Sequence, residues 1–103
     1  MANARRLELQ SKFEEFLGNG NVYYQPPESV KMQYDAIRYS LKDIDIKFAD
    51  NALYATKRCY KIILITRKPD SDVIDKLLEL PYCTFDRHYY ADNLNHYVFT
   101  LYY

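Results

Sequence analysis

AIRYSLKDIDIKFADNALYATKRCYKIILIT, residues 36–66, is the stretch that decides the fold. Ile37, Tyr39 and Leu41 are apolar at odd positions, whereas Ile44, Ile46 and Phe48 are apolar at even ones. Alternation with period two is the mark of a strand. The change of phase would carry the apolar set to the opposite face unless a bulge or break absorbs it. That irregularity is expected at Lys42–Asp43. Ala49–Ala52 (ADNA) is a turn signal with Asp50 and Asn51 at its tip. The chain then returns as a strand from Tyr54 to Thr66. Its segment YKIILI (Tyr60–Ile65) is apolar at nearly every position, as expected of a central strand covered on both faces. The two strands form a long hairpin whose far end, Asp43 to Lys57, is expected to extend past the body of the sheet.

Before this hairpin, Leu9, Phe13, Phe16 and Leu17 recur at i, i+4, i+7 and i+8, one face of a helix over Asn3–Leu17. Gly18 and Gly20 stop it. Asn21–Gln25 reads as a short strand, and Pro26 and Pro27 keep it from the middle of a ladder. After the hairpin, Asp70 or Ser71 can cap a helix over Ser71–Leu80, with Val73, Ile74, Leu77, Leu78 and Leu80 as its apolar stripe and an Asp72/Lys76 pair. Pro81 is expected to end that helix at Leu80. Pro81–Tyr90 is strand-like but irregular, DNLN (Asp92–Asn95) is a turn, and a final alternating strand runs through Tyr97, Phe99, Leu101 and Tyr103. The expected fold class is α+β: one domain over residues 1–103, in the order α-β-β-β-α-β-β. Two helices flank a mainly antiparallel sheet of about five strands, with a long hairpin between the second and third.

The chain has 103 residues with Lys plus Arg 14 and Asp plus Glu 14, so its formal net charge is zero. That balance argues against an electrostatic nucleic-acid binder, which needs a basic face, while leaving room for a local basic patch. The local basic clusters (Arg5, Arg6 and Lys12; Lys57, Arg58 and Lys61), with Tyr54 and Tyr60 near them for stacking on bases, read as ordinary surface charge balanced by neighbouring acids. No stretch approaches the roughly 18 apolar residues of a membrane span. Arg5 and Arg6 are followed by no apolar signal core. Cys59 and Cys83 are therefore expected to be reduced thiols in a cytoplasmic setting. His88 and His96, with Cys83, Asp86 and Asp92, do not have metal-site spacing, so no metal is expected. Ser11, Ser29, Ser40 and Ser71 lie outside any strained glycine elbow, and two glycines cannot build a phosphate-cradling loop. Neither an enzyme nor a cofactor is expected.

The compositional oddity is 12 Tyr with 5 Phe and no Trp. Three tyrosine pairs stand out: Tyr23–Tyr24, Tyr89–Tyr90 and Tyr102–Tyr103. Neighbours on a strand face opposite ways, so one of each pair can enter a core while the other is left outside. The outward rings then either meet other subunits or lie flat on a solvent face.

The segments NVYYQPPESVKMQY (Asn21–Tyr34), AIRYSLKDIDIKFADNALY (Ala36–Tyr54) and, above all, LPYCTFDRHYYADNLNHYVFTLYY (Leu80–Tyr103) resemble small proteins of long-tailed phages and prophages of Gram-positive bacteria. These are the tail terminator, tail completion or minor capsid proteins of the head-to-tail region. The resemblance implies a homo-oligomeric ring, expected to be a hexamer, on the head-proximal end of the tail tube. There it ends tube polymerisation and docks to the head connector or stopper protein. It implies assembly in the host cytoplasm, a final place at the head–tail junction of the virion, no membrane partner, and DNA only as passing cargo. Residues lining such a ring should be acidic or neutral; Asp43, Asp45 and Asp50 on the hairpin are the candidates. Tyr23, Tyr24, Tyr89, Tyr90, Tyr102 and Tyr103 are the candidate subunit contacts. The alternatives are a head-completion or stopper protein of the same junction, and a small regulatory nucleic-acid-binding module.

Overall fold

The computed structural model describes residues 2–27, 31–49 and 52–103, with side chains described for 5–27, 31–44 and 58–103. The elements are α1 (Ala2–Leu17), β1 (Val22–Tyr24), β2 (Ala36–Ala49), β3 (Ala52–Thr66), α2 (Asp72–Leu78), β4 (Cys83–Ala91) and β5 (Leu94–Tyr102). The fold is α+β in the expected order, and the five strands form one sheet ordered β1-β2-β3-β5-β4. All neighbours pair antiparallel except β1, which joins the edge of β2 in parallel (Val22 opposite Ile37, Tyr24 opposite Tyr39). The diproline after β1 thus ends an edge strand, where missing N–H donors cost little.

The phase change in β2 is absorbed where the sequence placed it. Leu41 pairs with Tyr60 and Asp43 with Cys59, so Lys42 is the extra residue of a bulge. Ile44, opposite Arg58, therefore stays at a register position on the same side as Ile37, Tyr39 and Leu41. Neither β1 nor β5 reaches the far end of the hairpin: β1 pairs with residues 37–39 of β2, and β5 with residues 59–66 of β3. Beyond Arg58, whose O accepts from Tyr103 N at 2.8 Å, the described residues of the two long strands pair only with each other and form a projecting arm. The tip signal at Asp50 and Asn51 lies outside the described residues.

The central strand is β3, as its apolar run implies, but the expectation of cover on both faces is not met. Leu9 and Phe13 of α1 and Val73 and Leu77 of α2 join Ile37, Tyr39, Tyr60, Ile62, Leu64, Tyr97, Phe99 and Leu101 in one core. Both helices therefore lie on one side, giving two layers. Among the described residues no helix covers the other side. Ala36, Cys59, Ile65 and Val98 are nonetheless buried there, beneath neighbouring side chains. One such cover is Tyr89, stacked on His96 with centroids 4.7 Å apart.

Each helix is anchored by local chemistry. Gly18, at φ 80°, takes the left-handed position after α1, and its N–H donates to Glu14 O at 2.9 Å. The Ser71 hydroxyl accepts from Val73 N at 3.2 Å and caps α2. This helix stops at Leu78 rather than Leu80. After Glu79 the chain tightens, with Leu80 N donating to Leu77 O at 3.1 Å, so the last turn is over before Pro81 can end it. The irregular strand before the final turn is β4, and its irregularity is a second bulge between Phe85 and Arg87. Asp92 and Asn93, both at positive φ, form the tight turn into β5.

Candidate functional site

The six tyrosines and three acids singled out from the sequence do not converge on one place. Tyr24 sits against the core, 4.9 Å from Tyr39 and 6.4 Å from Tyr60 between ring centroids, with the Arg6 guanidinium 4.4 Å over its ring. Its neighbour Tyr23 belongs to the opposite side of the sheet, where its hydroxyl accepts from Gln33 N at 3.0 Å. Tyr103 packs against the core margin while Tyr102 is exposed. These two pairs divide between inside and outside as expected. The third pair does not: Tyr89 is 38% and Tyr90 63% exposed, because β4 is an edge strand that the helices barely cover. Of the acids, Asp43 is exposed at the root of the arm and its Oδ1 accepts from Ile44 N at 2.8 Å. Asp45 pairs in register with Lys57, its side chain not among those described, and Asp50 lies outside the described residues.

A hydrogen-bonded cluster seats α1 on the sheet. The Tyr39 hydroxyl donates to Gln10 Oε1 at 2.9 Å, and Arg6 donates to both that hydroxyl (3.4 Å) and Gln10 Oε1 (3.3 Å). Burial raises the pKa of Tyr39 despite the lowering effect of Arg6. Burial also raises that of Tyr60, whose ring is enclosed in the core and offers no face for stacking on a base. The Cys83 thiol is pushed up to about 11, by burial first and then by the Asp86 carboxylate, so at neutral pH it is a protonated, weak nucleophile. Register puts the two histidines on opposite sides of the sheet. His88 stacks on Tyr97 at 4.5 Å and meets Asn95 Oδ1 at 3.0 Å, whereas His96 lies under Tyr89.

Among the described residues, two depressions can be placed on the helical side. One, of about 190 Å³, lies between Arg5, Lys12, Pro81, Tyr82, Tyr102 and Tyr103. Arg5 and Lys12 sit 5.0 and 5.1 Å over the Tyr103 ring. The other, of about 290 Å³, is polar and runs from Phe16 past Asp35 and Lys68 to the start of α2.

The most distinctive surface is the helix-free side of the sheet. One register row across β2, β3, β5 and β4 reads Arg38, Ile63, Val98, Arg87, and the next reads Ser40, Lys61, Thr100, Thr84. Arg38 and Arg87 are exposed and Lys61 is half-buried. Sequence reading missed this grouping. Arg38 and Arg87 are far apart in the chain and meet only through strand order, for which a single sequence holds no local signal.

In class, the molecule is a two-layer α+β sandwich with a protruding β-arm and one sheet face that, among the described residues, no helix covers. No family model matches the chain, and no curated protein matches it in sequence. Among the described residues, no helix is long and apolar enough to cross a membrane.

Proposed function

We propose that this protein is a structural subunit of a phage head–tail junction. In this reading it assembles into a ring that caps the tail tube, ends its polymerisation and docks to the head connector. The observation that carries the reading is the arm of the β2–β3 hairpin, whose far half, among the described residues, pairs with nothing but itself. An isolated two-stranded ribbon is marginally stable in water, so a 14-residue and a 15-residue strand running past their sheet are best explained by a neighbouring subunit that holds them. The sheet face without helices and the exposed Tyr89, Tyr90 and Tyr102 add to the same reading, since Tyr is enriched where surfaces become covered. The sequence resemblance over Asn21–Tyr34, Ala36–Tyr54 and Leu80–Tyr103 supplies the particular assembly. Asp43, Asp45 and Asp50 remain the proposed lumen residues, keeping passing DNA from adhering. The test is to add the purified protein to polymerising tail-tube protein and measure tube lengths by negative-stain microscopy. Capped ends and arrested growth support the role; tubes that grow as if nothing were added overturn it.

A further inference from the structure

We propose that the helix-free face of the sheet docks on the acidic outer stripe of α2 of a second copy of this chain, a contact that rests on the assembly reading above and names its surfaces. Opposite charge carries it. Arg38 and Arg87 stand at the two ends of one register row, with Ile63 and Val98 between them. At about 4.8 Å per strand the two arginines are roughly 14 Å apart at the backbone. Lys61 adds a third cation one row along. Among the described side chains, two carboxylates on this side already accept hydrogen bonds: Asp86 Oδ2 from the Thr100 hydroxyl at 2.7 Å, and Asp43 Oδ1 from Ile44 N at 2.8 Å.

The complementary surface is on the other layer. Asp72 and Asp75 of α2 and its C-cap residue Glu79 recur at i, i+3 and i+7, a stripe on the side of the helix turned from the buried Val73 and Leu77. All three are exposed. Seven rises of about 1.5 Å from Asp72 to Glu79 make the stripe about 10 Å long, a span that two flexible arginine side chains can close upon. The one cation of α2, Lys76, turns aside and donates to Phe16 O at 3.4 Å. Leu78, 43% exposed, borders the stripe and supplies an apolar partner for the Ile63–Val98 centre of the row. Among the described residues, neither Arg38 nor any of the three acids has an ion-pair partner within the chain. The two surfaces lie on opposite sides of a two-layer molecule, so the contact is head-to-tail, and successive copies close into a ring or run on as a filament.

The test uses two variants of the full chain, Arg38→Glu/Arg87→Glu and Asp75→Lys/Glu79→Lys, each checked for a wild-type circular dichroism spectrum. Each alone carries the same sign on both surfaces and is expected to self-associate at least about 100-fold more weakly than wild type by sedimentation velocity. A 1:1 mixture is expected to recover the wild-type mass, because alternating copies restore opposite signs at every contact. If Asp75→Lys/Glu79→Lys unfolds α2, Asp75→Asn/Glu79→Gln carries the same test through a loss of roughly tenfold. Variants that assemble like wild type overturn this contact, leave the ring reading standing and assign the face to a different partner. Variants that lose assembly without recovery on mixing also overturn it. Wild-type protein that stays monomeric alone and with tail tubes overturns both.

Discussion

Replacing Leu77 with Ala tests how α2 is held, and with it the surface that α2 displays. The helix has seven residues, too short to persist by propensity alone, so packing must hold it. Val73 and Leu77 are its two buried residues, and Leu77 is 0% exposed within the common core. Truncating a fully buried leucine costs about 2–5 kcal/mol, and the enclosed position of Leu77 puts the expected loss near 3 kcal/mol. A domain of this size is stable by roughly 5–15 kcal/mol, so the change removes a large share of the total. The melting temperature should fall by roughly 12–24 °C. Leu78→Ala is the internal control. It sits one position along the same helix but is 43% exposed, and should lose less than about 1 kcal/mol. Urea unfolding followed by circular dichroism gives both values, with an unchanged m confirming that only stability moved. Equal losses at 77 and 78, or a loss below about 1 kcal/mol at Leu77, would refute the seating of α2 on the sheet.

Other outcomes follow from the same packing. Tyr39→Phe removes a hydroxyl that bonds Gln10 and Arg6, and should cost about 1 kcal/mol in urea unfolding while leaving the ring contact with Phe13 (5.1 Å, 77°) in place. Burial holds Tyr39, Tyr60 and Tyr97 above the ordinary 10.0, so the native state keeps protons that the unfolded chain releases. Their contribution is complete below that value and is lost as pH rises toward the native ones; urea midpoints should therefore fall above about pH 10, more steeply than in a Tyr60→Phe variant. Deleting Lys42 should be tolerated within about 1 kcal/mol, because the bulge disappears and the pairing on either side of it survives. Deleting Ser40 should instead force Lys42 toward the core position now held by Leu41 and lower stability measurably in the same assay.

Periodicity carried most of the fold into the sequence. The flip from odd to even apolar positions put the irregularity at Lys42–Asp43, where the Lys42 bulge lies; Gly18 and Gly20 marked the end of one helix, and Asp70 or Ser71 the start of the other. Cover on one face of β3 rather than two was not legible. Ile63, Ile65 and Val98 are as apolar as a double-sided core requires, yet cross-strand neighbours such as Tyr89 and His96 shield that side instead of a helix. The parallel partner of β1 was likewise hidden, since three residues of VYY pair as well in either direction. The candidate surface was legible only in part. The tyrosine pairs announced outward rings, but the Arg38–Arg87 row exists only once β5 has inserted between β3 and β4.

The central claim is that copies of this chain assemble into a closed ring. Native mass spectrometry of the purified protein, alone and after incubation with tail tubes, measures this directly. The expected result is a single closed oligomer of the 12.4 kDa chain, a hexamer on the resemblance, that dissociates as salt is raised. A lone 12.4 kDa species under both conditions would contradict it.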